Sequence, residues 1–392
     1  MLSPTIERVN LGNTFLNAPL FHSYGLPLIC DGAPALNNLV LHDESTSTGV
    51  IHNYWDTLIE VAGRLQKLDI RFPQTASLDT LTLQRLCIQL QNLTSLALDV
   101  HTDSHQPSFP TQNAPVLPAL QTLHLINRSA AQLCPCYPSF LLEKATSITF
   151  SLVNSVQSGG DFTEALDTLS TTKSLRTVEI NGYNQYLPAA SITPFLHRLQ
   201  LEEFHVNARA LKHTVGEEPG FQILQSLAQA VVASDSTEHY LKRLTLPIWR
   251  ETVDSNGHPC EAEPSCYPQL SRLLHVAQHI KGLEHLSISI DSSTPGPNNE
   301  NVTSMIQNWK EPDTPSSLRY LEIAEMRKSE KSFAPNEYRD IARLLDMIFP
   351  NLISVTMIKD ERLSNQWDEH WQLIEEYRRM RRTIRLDRGC SW

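Results

Sequence analysis

The chain has 392 residues, 41% of them hydrophobic and 19% charged, with a formal net charge of -11. That balance belongs to a folded protein rather than a disordered one, and it argues against general affinity for nucleic acid or anionic membranes, which takes a basic surface. No stretch approaches the roughly 18 continuous apolar residues of a membrane helix, and Met1 to Glu7 lacks the basic opening of a secretory leader.

From the N-terminus onward one short pattern recurs: an aliphatic residue, two variable residues, an aliphatic, one variable residue, an aliphatic. It reads Ile6-Val9-Leu11, Leu36-Leu39-Leu41, Leu65-Leu68-Ile70, Leu93-Leu96-Leu98 and Leu120-Leu123-Leu125, then a weaker copy at Ala145-Ile148-Phe150. It continues through Leu175-Val178-Ile180, Leu201-Phe204-Val206 and Leu241-Leu244-Leu246 to Leu283-Leu286-Ile288, Leu318-Leu321-Ile323 and Leu352-Val355-Met357. The 12 starts are separated by 30, 29, 28, 27, 25, 30, 26, 40, 42, 35 and 34 residues. The first seven spacings lie in or about one residue outside the 20–29 range of leucine-rich repeats, and the last four require insertions.

Within each unit the last two aliphatics flank a single residue, as in Leu68-Asp69-Ile70, so they share one face of a short strand. A lone unit cannot bury that face, whereas parallel stacking of neighbours makes one continuous core. The connecting segments are helical in part. Leu78 to Leu90 carries apolar residues at mixed three-, four- and five-residue steps, and Phe221 to Val232, Leu270 to Ile280 and Tyr338 to Ile348 carry comparable apolar stripes. Asp161 and Asn336 are expected N-caps. The predicted fold is α/β: a leucine-rich-repeat solenoid, an irregular horseshoe with parallel strands on the concave face and helices on the convex one.

The predicted solenoid covers residues 1–359 in about 12 units, with polar insertions at 101–118, 252–268 and 291–315. The ninth position of a regular unit is often Asn or Cys; here it is Glu44, Pro73, His101 and Arg128, so those turns must be satisfied in another way. Residues 360–392 form a closing segment. Trp367, Trp371 and Ile374, with Tyr377 or Met380, make its core-facing stripe, and Arg378-Arg379-Met380-Arg381-Arg382 sits where cations favour a helix C-terminus. The same run also has the make-up of a nuclear import signal.

With the Trp367-Asp-Glu-His-Trp371-Gln-Leu-Ile-Glu-Glu-Tyr377 tail, the irregular repeats resemble the leucine-rich-repeat region of fungal F-box proteins. The resemblance implies repeats that hold a substrate protein, and an F-box that docks on the Skp1 adaptor of a cullin ubiquitin ligase. The first repeat begins at Ile6, and Thr14 to Asp31 has no leucine-proline-acidic opening, so no adaptor contact is carried to any residue.

No phosphate-cradling glycine loop, nucleophile elbow or zincin motif occurs, and no cofactor or metal is expected. His258-Pro-Cys260, Cys266 and His275 lack the paired ligand spacing of a zinc site, and Cys134-Pro-Cys136 is too tight for a redox pair. The seven scattered cysteines fit reduced thiols, hence cytosol or nucleus. The expected function is therefore a non-enzymatic scaffold that binds a protein partner. The alternative is a hydrolase or metalloenzyme built on the loops at 252–268 and 291–315. The partner surface is expected from the residues that alternate with the core aliphatics: Lys67, Asp69, Arg71, His124, Glu179, His205, Arg243, His285, Tyr320 and Glu322.

Overall fold

A computed structural model describes residues 3–12, 24–42, 58, 62–71, 77–78, 80–99, 101–102, 117–127, 139–142, 144–152, 169, 172, 174–188, 192, 201–212, 219–233, 241–246, 251–253, 259–261, 267–293, 301–327, 333–358 and 365–387. The chain divides into two compact units, Met1–Gln185 and Tyr186–Trp392. Each is α/β and carries an open sheet of parallel strands.

In the first unit the strands are β1 (Arg8–Leu11), β2 (Asn38–His42), β3 (Lys67–Arg71), β4 (Ser95–Asp99), β5 (Thr122–Asn127), β6 (Ser147–Leu152) and β7 (Thr177–Pro188). Each pairs in parallel with the next in chain order. Helices α1 (Leu26–Gly32), α2 (Thr80–Gln89) and α3 (Ser139–Leu142) lie in the connections. In the second unit, β8 (Glu203–Lys212), β9 (Arg243–Thr245), β10 (His285–Ile290), β11 (Tyr320–Glu325) and β12 (Ser354–Met357) pair in the same way. Its helices are α4 (Pro219–Ala233), α5 (Arg272–His279), α6 (Val302–Asn308), α7 (Pro335–Ile348) and α8 (Asp368–Asp387). Among the described residues no helix is long and apolar enough to cross a membrane.

Each strand from β1 to β12 starts two residues after the first aliphatic of its repeat, from Ile6 and Arg8 to Leu352 and Ser354. The pairing register stacks the second and third aliphatics into rows. Val9, Leu39, Leu68, Leu96, Leu123, Ile148 and Val178 stand abreast in the first unit. Phe204, Leu244, Leu286, Leu321 and Val355 do so in the second. Apart from Val9 these residues are 0–3% exposed. Ile6 and Val9 at the end of the first ladder are only half-buried.

A backbone device repeats with the side chains. The carbonyl just after the first aliphatic of one unit accepts two N–H groups from the equivalent place in the next. Glu7 accepts from Asn37 and Asn38, Asn37 from Gln66 and Lys67, Gln66 from Thr94 and Ser95, and so on to Thr146. In the second unit Glu202, Lys242, Glu284 and Arg319 do the same. The unit therefore repeats as backbone hydrogen bonding as well as hydrophobic spacing, which answers the demand that buried peptide groups be paired. Side chains reinforce several steps: the Thr94 and Thr146 hydroxyls donate to the Gln66 and Gln121 carbonyls at 3.0 and 3.1 Å. Of the four ninth-position residues, Glu44, Pro73 and Arg128 lie outside the described residues. His101 begins a two-residue strand paired with Ser77–Leu78.

Several expectations change. The insertion at 291–315 is not simply a solvated loop: Asp291 and Ser292 are buried, and α6 lies inside it. Asn301 caps α6, its Oδ1 accepting the Ser304 N–H at 2.8 Å, and Val302, Met305 and Ile306 face the core. Within 252–268, Glu251–Val253 and Pro259–Glu261 form an antiparallel hairpin. The N-cap of α7 is Ala334 rather than Asn336. Pro335 takes the first helical position, where no N–H is needed, and the Glu337 carboxylate accepts the Ala334 N–H. Asp161 lies outside the described residues.

Helix α8 packs on α7 and β12. Trp367, Trp371 and Ile374 are buried as expected, but Tyr377 and Met380 point outward, 37% and 57% exposed. The helix turns its Arg378 inward instead. Its role is a direct ion pair with Asp346 rather than a dipole effect, which is confined to the last turn.

Candidate functional site

Alternation along a strand puts the residues between the core aliphatics on the opposite side of the sheet. All ten residues expected there, from Lys67 to Glu322, are exposed or half-exposed. The repeats place them in rows, and the rows turn single residues into pairs.

In the first unit, Asp69 on β3 anchors one cluster. Arg71 donates to it from Nε and Nη2, both at 2.9 Å, and the His42 ring lies 3.4 Å away on β2. The Asp69 hydrogen bond raises the Arg71 pKa further, so this cation is permanent. Two strands along, His124 Nε2 and the Ser151 hydroxyl are 2.8 Å apart. Burial, with Arg71 as a repelling charge, pushes the His124 pKa below its ordinary value and favours the neutral ring. Glu179 is held on both oxygens, by the Thr149 hydroxyl at 3.1 Å and the Asn181 amide at 3.0 Å. Lys67 projects freely into solvent at the start of its strand.

In the second unit, the row His205, Thr245, Ser287 and Glu322 crosses four strands. His205 Nδ1 meets the Thr245 hydroxyl at 2.9 Å, and its Nε2 lies 3.7 Å from Glu203, which also faces Arg243 at 3.5 Å. Ser287 donates to Glu322 at 2.5 Å, and His285 Nε2 lies 3.4 Å from the same carboxylate oxygen. His285 and Tyr320 have ring centroids 5.9 Å apart. The His285 hydrogen bond, with Ser287 adding to it, holds the Glu322 carboxyl below the usual range despite its burial.

Serine, imidazole and carboxylate in contact invite comparison with a hydrolytic triad. There the imidazole stands between the other two, one ring nitrogen to each. Here a single nitrogen, Nε2 of His285, faces both, and Ser287 gives its proton to Glu322 rather than to the ring, 3.5 Å away. Ser287 is also only 2% exposed. The cluster fixes a carboxylate; it does not activate a hydroxyl. Among the described residues no three His, Cys, Asp or Glu side chains converge to hold a metal ion. Of the residues weighed for zinc, His258 and Cys266 lie outside the described residues. His275 instead packs against the rings of Phe221 and His279, at 5.4 and 4.5 Å. Cys134 and Cys136 are likewise outside the described residues.

The spacing of single residues does not indicate these partnerships, but alignment of the repeats does. Superposing units on their first aliphatic sets His205, Thr245, Ser287 and Glu322 side by side, and likewise His124, Thr149 and Glu179. A scan against protein-family models and a search of curated proteins each return no match to this chain.

Proposed function

We propose that the repeated unit is a leucine-rich repeat and that the open strand face of each compact unit is a protein-binding surface, making the chain a non-enzymatic scaffold of the cytosol or nucleus. The observation that carries this reading is the pre-pairing of the face. Asp69 with Arg71, Glu179 with Thr149 and Asn181, and Glu322 with Ser287 and His285 are already held in place. Side chains ordered before association lose less entropy on binding, and that surplus appears as affinity. Tyr320, 42% exposed beside Glu322, is the aromatic anchor of the second-unit face.

Within this reading the bound protein is a substrate for ubiquitin ligation, as the resemblance to F-box proteins suggests, with Skp1 and a cullin as the marker partners. The test is quantitative affinity purification of the wild-type chain beside Asp69→Lys and Tyr320→Glu variants. A protein retained by the wild type and lost from either variant is expected. Recovery of Skp1 and a cullin with all three chains supports the ligase role. An identical set of proteins on wild type and both variants would remove the open face as the binding surface.

A further inference from the structure

Helix α8 carries a second apolar stripe that its own fold does not use. Trp371, Ile374 and Arg378 face inward, whereas Leu373, Tyr377, Met380 and Ile384 are 43%, 37%, 57% and 43% exposed. Their separations of four, three and four residues line them along the outward side of one helix. They are half of the eight large hydrophobic side chains exposed among the described residues, so the exposure is concentrated rather than scattered.

We propose that this stripe docks antiparallel on the same stripe of a second copy, about a two-fold axis between Tyr377 and Met380. The spacing reads the same in both directions. Reversal about that midpoint sets Leu373 against Ile384 and Tyr377 against Met380, so one set of residues supplies both sides of an isologous contact. Charge selects the direction. Residues 368–377 hold four carboxylates and no lysine or arginine, and residues 378–387 hold five arginines and one aspartate: -4 against +4. An antiparallel pair sets acidic half against basic half and opposes the two helix dipoles, whereas a parallel pair stacks like charge on like. Part of the basic half is already engaged, since Arg378, Arg381 and Arg382 lie 3.1, 3.7 and 3.4 Å from Asp346. Steering therefore falls to the exposed Glu369, Glu376 and Arg379, the last 72% exposed although its Nε lies 3.2 Å from Glu375.

Four side chains per copy is well short of the roughly 800 Å² per partner of a standard interface, so association is expected in the range of roughly tens to hundreds of micromolar. Sedimentation velocity of the full chain at low salt, from roughly 5 to 500 µM, reads it directly. The mass is expected to rise from 44.3 kDa toward twice that value. Met380→Glu is expected to hold the chain monomeric with its melting temperature unchanged, since Met380 is an outward side chain. Reversal also brings the exposed Thr383 beside Glu376 of the other copy. Thr383→Lys should then tighten association several-fold, and Thr383→Glu should weaken it. A wild-type chain that stays monomeric to the highest concentration, as it would if the stripe served a different protein, overturns the proposal. So does a dimer indifferent to Met380→Glu. Opposite signs for the two Thr383 variants overturn the antiparallel arrangement.

Discussion

The guanidinium of Arg378 lies 3.1 Å from Oδ1 of Asp346, and both side chains are only 1% exposed. The arginine also binds Glu375 and donates to the Leu352 carbonyl at 2.8 Å, while Glu375 accepts the Val355 N–H at 3.2 Å. Val355 belongs to β12, the last strand of its sheet. An edge strand presents unpaired N–H groups that invite further pairing, and here one carboxylate covers such a group while an arginine holds that carboxylate in place. Helix α8 thus closes the second unit by polar chemistry as well as by its tryptophans.

Removing Arg378 takes the nearest cation from two buried carboxylates, for which Arg381 and Arg382, 3.7 and 3.4 Å from Asp346, and Arg379, 3.2 Å from Glu375, compensate only in part. Arg378→Ala is therefore expected to destabilise the second unit by about 3–5 kcal/mol, seen as a shift in the urea midpoint. A loss below about 1 kcal/mol, the level of a surface pair, would mean that water replaces the guanidinium.

Trp371 connects the same helix to the sheet by a second route. Its indole Nε1 donates to Glu325 Oε2 at 3.0 Å, and that carboxylate also takes donors from Ser292 and Arg327. Trp371→Phe keeps much of the apolar bulk but removes one donor from a buried acceptor. A loss of about 1–3 kcal/mol from the hydrogen bond is expected by chemical denaturation, added to the cost of the cavity that the smaller ring leaves. Wild-type stability in this variant would show the indole hydrogen bond to be dispensable.

The cap of α6 makes a smaller, local prediction. Asn301→Ala removes the acceptor of the Ser304 N–H and is expected to cost about 1 kcal/mol. Amide exchange should quicken first in Val302–Asn308 while the strands keep their protection.

The Glu322 cluster sets a pH dependence. Its folded pKa is depressed, chiefly by the His285 hydrogen bond, so its contribution is fully present above the unfolded carboxyl value near 4.5. That contribution is lost as pH falls from there through the lower folded value. The stability difference between wild type and Glu322→Gln should shrink toward zero as pH falls below about 4.5. The side chain is 40% exposed, so a plateau of no more than about 1 kcal/mol is expected. A difference that grows on acidification would reverse the sign of the effect.

Much of the fold is legible in the repeat, because hydrophobic spacing and strand alternation are local properties. The strand starts, the buried rows and the outward setting of residues such as Asp69 and Glu322 all follow from it. Helix α6 has its signal too, in Asn301 followed by Val302, Met305 and Ile306, but the polar residues around it hide the short pattern. Direction on α8 is not local. Leu373, Tyr377, Met380 and Ile384 make as regular a stripe as Trp371, Ile374 and Arg378, and distant partners such as Asp346, 32 residues before Arg378, and Glu325, 46 before Trp371, decide which one turns inward. Likewise alternation puts His285 and Glu322 on one face, but only the register of β10 against β11 makes them partners.

The claim that the open strand face binds a protein is tested most directly by hydroxyl-radical footprinting of the chain, alone and with a protein it retains. Tyr320, His285 and His205 are readily oxidised side chains on that face, and Tyr24, 63% exposed, is a control in the other unit. The expected result is several-fold protection of Tyr320, with His285 or His205 following and Tyr24 unchanged. Tyr320 labelled equally in both states, with protection elsewhere, would contradict it.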